Sequence, residues 1–397
     1  MQHFDAIVLG LGGIGSSALA SIADRGTRVL GVDRFEPPHA MGSSHGGSRV
    51  IRLAYFEHEG YVPLLREAFE AFDRLARDAG VALIQRVGLL QGGIANNEIV
   101  SGTIRAARTH DLRVDAMSGA EASRKFNAFD LPAAWELVYE HDAGFIRPEE
   151  TIRVQLERAR NAGAEIRTNT EVTHWINHNN GVRVHFADGS TVDTSTLVVC
   201  GGAWAPKLLS HDESLRAFNL TPTQQIIVWL GAGAKSAIAS ALSTNAMPVW
   251  LFDDGEGGAP YGVPAFEGMG APHGLKIGIH QHGGSAVDPA SMARSVSDAA
   301  AESVRQRVGQ FVKVARDAEV VASASCLYTE SMDGHFIVDS LSPESPNVIV
   351  ATACNGHAFK FVPVLGRLLA DAVADRASLQ SGPAAFLTRG VRSAPQR

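Results

Sequence analysis

Cysteine is scarce in this 397-residue chain, and the three present, Cys200, Cys326 and Cys354, show neither a CxxC pair nor histidine-rich spacing. So sparse and odd a set indicates neither a disulfide framework nor a zinc site, and any cysteine that matters here matters for its reactivity. Positive charge is also short: the net charge of −7 argues against nucleic acid or an anionic membrane surface as the main partner. No apolar run is long enough to span a bilayer. No N-terminal stretch has the charged start, apolar middle and small-residue cleavage site of a secretory signal, so a cytoplasmic protein is expected. What the chain does have is 45% hydrophobic against 19% charged residues, over a length that suits two domains.

The first thirty residues carry the most informative pattern. Asp5 to Leu9 reads as a short buried strand that ends on Gly10-Leu11-Gly12-Gly13-Ile14-Gly15, a glycine-rich turn opening a small-residue helix over Ser16–Arg25. A second strand, Arg28–Asp33, follows. The first glycine permits the tight turn, the second lets a pyrophosphate approach the backbone, and the third lets helix and strand pack closely. The phosphates would sit at a helix N-terminus. Asp33 stands where a carboxylate can accept hydrogen bonds from the ribose hydroxyls of an adenosine. The unit reads as a dinucleotide site, and by itself it does not separate NAD from FAD.

After Asp33, prolines, glycines and serines mark a loop from Arg34 to Arg49. Arg49 and Arg52 share a face if that segment is helical and oppose each other if it is extended; alternatively, they are two solvated arginines. Apolar positions Leu64, Leu65, Ala68, Phe69, Phe72, Leu75 and Ala76 predict a core-facing helix over Tyr61–Ala79. Residues Val81–Tyr139 are mixed in pattern and show no obvious chemistry. A helix is expected over Glu149–Ala162, then strands near Glu165–Asn169 and Val182–Phe186, with an Asp188-Gly189 hairpin turn. The buried strand Thr196–Cys200 ends on Gly201-Gly202, a second strand-to-glycine turn. Further strands are expected at Gln224–Leu230 and Pro248–Phe252. Leu275 to His280 alternates strictly, placing Lys276, Gly278 and His280 on one side, with Lys276 and His280 about 13 Å apart at about 3.3 Å per residue. A ring system could lie between them, or the strand is half exposed with a solvated lysine. A surface helix over Met292–Ala315 precedes Cys326-Leu327-Tyr328-Thr329 and a strand His335–Asp339. The buried strand Asn347–Thr352 runs into a glycine turn and a helix reaching Asp375, whose N-terminus could stabilise negative charge on a bound group.

Several of these segments together resemble one family. They are the N-terminal glycine motif, Pro37-Pro38-His39 through Gly42-Ser43-Ser44-His45-Gly46 to Arg49-Val50-Ile51-Arg52, Tyr61-Val62-Pro63-Leu64, Gly202-Ala203-Trp204, Cys326-Leu327-Tyr328-Thr329, Phe336-Ile337-Val338-Asp339 and Gly356-His357-Ala358-Phe359-Lys360-Phe361. The resemblance is to monomeric sarcosine oxidase and N-methyltryptophan oxidase, within the D-amino-acid oxidase superfamily, and it covers nearly the whole chain. It implies a mixed α/β fold: a Rossmann-like FAD-binding domain (1–80, 145–220 and 322–397) interleaved with a substrate domain (81–144 and 221–321) on a mixed, largely antiparallel sheet. It implies an FAD-dependent oxidase of a secondary amine, hydride transfer to the flavin giving an imine, and oxygen reduced to hydrogen peroxide by a monomer.

The resemblance also assigns residues. Gly10, Gly12, Gly13, Ile14, Gly15, Asp33, Arg34, Ser43, Ser44, Arg49, Val172, Gly201, Gly356, His357 and Lys360 would hold FAD, with Cys326 bonded to the ring through a thioether. Arg52 and Lys360 would hold the substrate carboxylate, a forked donor beside a point charge. Tyr261 and His280 would line the substrate pocket, His45 and Arg49 would lie against the flavin ring, and Lys276 would activate oxygen. Ser44 in place of histidine, Gly47 in place of an acid, Cys354-Asn355, Ala358 and the loop Asp253–Pro260 depart from the family pattern. They leave pipecolate, proline, another N-methyl amino acid or a larger amine open as substrate. A dehydrogenase passing electrons to a carrier or quinone and a flavin-binding protein without turnover are the alternatives.

Overall fold

The strand His3–Leu9 has a parallel partner on each side, Val29–Val32 and Thr191–Val199, and these three form the middle of the first large sheet. In the computed structural model, residues 1, 179–180, 211–218, 233–239, 267, 269–271, 281–283, 341–346, 353, 382–384, 386 and 389–397 are not described; all others are. The sheet continues in parallel through Glu165–Arg167 beyond one edge and Val348–Thr352 beyond the other. Val172–His178 and Gly181–Phe186 add an antiparallel hairpin, and the Asp188-Gly189 turn leads into Thr191–Val199 as expected. Alternation along the first strand divides the core. Ala6 and Val8 face a cluster with the helices, whereas Ile7 and Leu9 face one with Val172, Trp175 and Val184.

Three helices cover the first face: Gly13–Ala23, Pro148–Asn161 and Val362–Ala374. The first consists largely of small residues, so its neighbours approach closely: a Cβ built on Gly366 of the last helix would stand 2.4 Å from Ser17 Oγ and 2.6 Å from the Ser17 carbonyl oxygen. Tyr61–Ala79 is helical over the expected residues, and Gly80, at φ +66°, ends it in the left-handed region.

A second sheet has the order Glu319–Glu330, Thr221–Gly231, Leu275–His280, Ala259–Val263, Val249–Asp253, Leu89–Gly93, Glu136–Glu140, Val114–Ser118. Every pairing in it is antiparallel except Val249–Asp253 with Leu89–Gly93. Val228, Leu230, Leu275 and Ile277 pack beneath it with the helix Asp298–Val308, and Ile227, Trp229 and Cys326 cluster on the opposite face. A three-stranded sheet, Arg49–Ile51, Gly144–Ile146 and Ile84–Arg86, bridges the two large ones.

Cys326–Thr329 precedes a strand as expected, Ile337–Ser340, and itself lies within another, Glu319–Glu330. Other expectations change. The helix expected over Met292–Ala315 is limited to Asp298–Val308, because Ser297 caps its start and the residues before it are drawn to the sheet: the Arg294 carbonyl accepts from Ser325 N, and the Ala293 carbonyl from Gln224 Nε2. Residues 81–139 form four of the strands above, the last ending at Glu140, and two helices, Glu98–His110 and Gly119–Lys125. Leu275–His280 is not half exposed, since Lys276 is as buried as Leu275.

The contact of the first and last helices sets a stability test. Gly366→Val should lower the melting temperature, at a cost of about 1–3 kcal/mol or more for overpacking an interface with no room to give. Thermal denaturation by circular dichroism reads the shift, and an unchanged melting point would contradict this packing.

Candidate active site

Two cavities meet between the sheets, and they share Arg49, Tyr328, Gly356 and Phe359. The larger, of about 510 Å3, starts at the glycine turn and passes the ends of the first-sheet strands. Gly10, Gly12, Gly13, Ile14, Asp33, Arg34, Ser43, Ser44, Arg49, Val172, Gly201 and Gly356 all line it. Gly15 does not. It closes the turn instead, since a Cβ there would lie 1.7 Å from the Gly10 carbonyl oxygen. Asp33 has a task that the sequence did not reveal: its carboxylate accepts from Leu11 N at 2.7 Å and Phe35 N at 2.8 Å, locking the turn to the second strand. At the far end Arg34 stacks over Trp204, 5.1 Å from the ring centroid.

The smaller cavity, of about 100 Å3, lies against the face of the second sheet that carries Ile227 and Cys326 and takes in Arg52, Tyr261, Lys276, His280, Cys326, His357 and Lys360. Register explains the grouping. Lys276 pairs with Trp229, Gly278 with Ile227 and Tyr261, and Cys326 with Gln225, so these side chains rise from one face of four adjacent strands. Cys326, His357 and Lys360 therefore belong to this second cavity and not to the wall of the first. Arg49 and Arg52 prove to be neither helical nor opposed: Arg49–Ile51 is extended, the chain leaves the strand at Arg52, and both side chains reach the same cavity.

The segment Ser43–Arg52 is the roof. Arg49 donates to the Ser43 carbonyl at 2.5 Å and the Ser48 carbonyl at 2.7 Å, and its Nη2 stands 3.6 Å from Cys326 Sγ. Lys276 Nζ donates to the same Ser48 carbonyl at 2.7 Å. From the other side, Glu149 Oε1 accepts from Gly46 N at 2.7 Å and Gly47 N at 3.1 Å. Burial pushes the Lys276 ammonium well below its usual range, and the Arg49 charge adds to this. Burial also raises the Cys326 thiol, but a polar contact with His45 and the charges of Arg49, His45 and Lys276 outweigh it and bring it down to about 6. Cys200 feels burial alone and rises to about 12.

Around the second cavity, Arg52 is 4% exposed and fully engaged. Its guanidinium holds Glu57 through two bonds of 2.5 and 2.7 Å, donates to Gln91 Oε1 at 3.1 Å, and lies over the rings of Tyr55 and Phe56. Lys360 Nζ donates to the His357 carbonyl at 3.2 Å and sits 5.2 Å from the Tyr55 ring centroid. Burial, with Arg52 nearby, lowers Lys360 to about 7. His280 Nδ1 pairs with Tyr328 Oη at 2.9 Å, and desolvation lifts Tyr261 to about 12, keeping its phenol protonated at neutral pH. Sequence reasoning missed Glu57, Gln91, Glu140 and Glu149. Glu140, 2% exposed, accepts from Leu53 N and Ala54 N at 2.6 and 3.1 Å, and burial raises it to about 7. Their partners lie up to 103 residues away, and no local pattern marks such pairs.

The larger cavity suits a dinucleotide on more than the motif: Trp204 Nε1 and Thr352 Oγ1, both on its wall, are buried with no hydrogen-bond partner among the described residues. The family model for FAD-dependent oxidoreductases matches residues 5–372, and the chain belongs to that family. The chain is 33% identical over 368 residues to monomeric sarcosine oxidase of Streptomyces avermitilis, covering 93% of each chain. It is 30% identical over 379 residues to N-methyl-L-tryptophan oxidase of Yersinia pestis, covering 95% of this chain and 96% of that one. Among solved structures, the fold is similar to NikD, an unusual amino acid oxidase of nikkomycin biosynthesis (TM-score 0.81, 22% identity, 95% of each chain), and to glycine oxidase of Geobacillus kaustophilus (0.74, 21%, 94% and 95%). The protein is an FAD-dependent oxidoreductase of sarcosine oxidase type with the mixed α/β fold of these flavoproteins.

The thiol chemistry is testable on flavin-free protein. Cys326 is a thiolate above about pH 6, so its alkylation by iodoacetamide should keep its rate from pH 8 down to about 6 and fall below that, while Cys200, pushed up to about 12, stays inert at neutral pH. Mass spectrometry of the labelled peptides decides, and a Cys326 rate that climbs steadily through pH 8–9 would contradict the assignment.

Proposed function

We propose that this protein oxidises a secondary amino acid at its carbon–nitrogen bond, with oxygen as the final electron acceptor. The observation that carries the reading is the second cavity: two buried cations, Arg52 and Lys360, stand at one side of a small tyrosine- and histidine-lined space that opens toward Arg49 and the larger cavity. Bound FAD would supply the hydride acceptor and, on reoxidation by oxygen, give hydrogen peroxide. Arg52 and Lys360 would take the substrate carboxylate, in competition with Glu57 for the Arg52 fork. Tyr261, His280 and Tyr328 would shape the space around the amine. Lys276, buried beside Arg49, would place positive charge where oxygen is reduced, and Cys326, held as a thiolate, would be the point of covalent flavin attachment. The lining of the larger cavity supports assigning 1–80, 145–220 and 322–397 to the FAD-binding unit, leaving 81–144 and 221–321 to the substrate. The name of the sarcosine oxidases supports a monomer.

Anaerobic mixing of the flavoprotein with sarcosine, proline, pipecolate and N-methyltryptophan, followed at the oxidised-flavin band, tests the reading. Bleaching by at least one is expected, with the colour returning on exposure to air; no bleaching by any secondary amino acid would sink it, and bleaching without recovery in air would favour a dehydrogenase. Lys276→Met should slow recovery in air by about 100-fold or more, the order seen when one preorganised charge-stabilising group is lost, with bleaching nearly unchanged. Equal recovery rates would remove Lys276 from the oxygen step.

A further inference from the structure

The Gly46–Ser48 loop is held from both sides by ionisable groups. Glu149, in the first turn of the helix Pro148–Asn161, accepts the Gly46 and Gly47 amides on one oxygen. Lys276, from the second sheet, donates to the Ser48 carbonyl. The loop is thin here: Gly46 has φ +94°, and a Cβ built on it would lie 3.5 Å from Lys276 Nζ. Carboxylate and ammonium thus hold the same short stretch of backbone, Gly46–Ser48, the one through two amides and the other through a carbonyl. Among the described residues, the charged or titratable groups whose fields act on Lys276 are Arg49, Cys326 and Glu149. Arg49 repels its charge, whereas Cys326 and Glu149 favour it. A thioether carries no charge, so with flavin attached at Cys326 as proposed above, the reading on which this inference rests, Glu149 would be the one anion left among these three groups.

We propose that Glu149 is a positioning residue for the oxygen step, holding the Gly46–Gly47 backbone and supplying the negative charge that keeps Lys276 an ammonium beside the cofactor. The sequence gives no hint of this, since Glu149 lies 103 residues from the loop it holds, at the start of a helix where an acidic side chain is ordinary. Both amides share one oxygen, so a glutamine can keep the same two hydrogen bonds through its carbonyl and lose only the charge. An aspartate keeps the charge and shortens the reach.

The holoenzyme provides the test, and it needs no amine substrate. Lys276 deprotonation should appear as a break in the plot of flavin reduction potential against pH, identified by its absence in Lys276→Met. In Glu149→Gln that break should move down by about one pH unit or more, a tenfold change in the proton equilibrium. Oxygen reoxidation of the photoreduced enzyme should lose its rate over the same lowered pH range. Glu149→Asp should leave both close to wild type. A break that stays in place in Glu149→Gln, with only the melting temperature reduced, would show a purely structural role and overturn the proposal. If Glu149→Gln does not retain flavin, Glu149→Asp decides: flavin held with a wild-type break supports the charge, and flavin lost overturns it. Because photoreduction replaces the substrate, the outcome is separate from that of the amine panel.

Discussion

The structure depends on how a stretch of irregular backbone is buried between two sheets. None of residues 43–54 is exposed and only Arg49–Ile51 is in a ladder, so their remaining amides and carbonyls need other partners. Charged side chains supply them. Arg49 and Lys276 converge on the Ser48 carbonyl, Arg49 also takes that of Ser43, Glu149 takes the amides of Gly46 and Gly47, and Glu140 those of Leu53 and Ala54. Cations serve the carbonyls and carboxylates serve the amides, each in a charge-assisted bond stronger than a neutral one. The groups that would do the chemistry are also the ones that satisfy the roof above them.

That economy has an electrostatic consequence. Removing an ammonium from water is costly, and the cost appears here as Lys276 far below its usual range and Lys360 at about 7. A fold serving stability alone would have little reason to place Arg49, Lys276 and His45 around one thiol, because like charges repel and buried ions are weak stabilisers. The cluster makes sense where negative charge is to arrive, on a thiolate, a reduced ring or oxygen. The same reasoning applies to Arg52, whose charge is already met by Glu57. A carboxylate bound there, as proposed, would gain only the difference between itself and that internal partner, so its affinity would rest on Lys360 as well as on the fork.

How much of this was legible in the sequence follows from the range of each interaction. The glycine turn, the Tyr61–Ala79 helix and the alternation of Leu275–His280 are local patterns, and the structure has all three. The alternation rightly put Lys276 and His280 on one side, but it could not tell which side water sees, because the cover over Lys276 comes from Ser48, 228 residues away. Glu140, Glu149 and Gln91 were invisible for the same reason: each sits in an element whose own pattern is ordinary, and its importance lies in a distant partner. The overlong helix from Met292 is the converse case. Its composition was helical enough, but the strand Glu319–Glu330 needed a neighbour at Ser325, and the Arg294 carbonyl was taken to meet that need.

The junction of the two cavities explains why changes in the final turn should alter both. Gly356 has φ +74°, and a Cβ there would stand 2.4 Å from the Tyr328 ring, so turn and tyrosine are in direct contact. Asn355, itself at φ +43°, holds the turn to the end of the same strand: its amide donates to the Thr329 carbonyl, and its side-chain oxygen accepts from Ser331 N. Tyr328 in turn pairs with His280 at the smaller cavity. Moving the Cys354–Gly356 turn therefore moves Tyr328, and with it one wall of each cavity. If the larger cavity holds the cofactor and the smaller one the amine, as proposed, the two would be coupled through this contact, and the residues Cys354 and Asn355 would act on both at once.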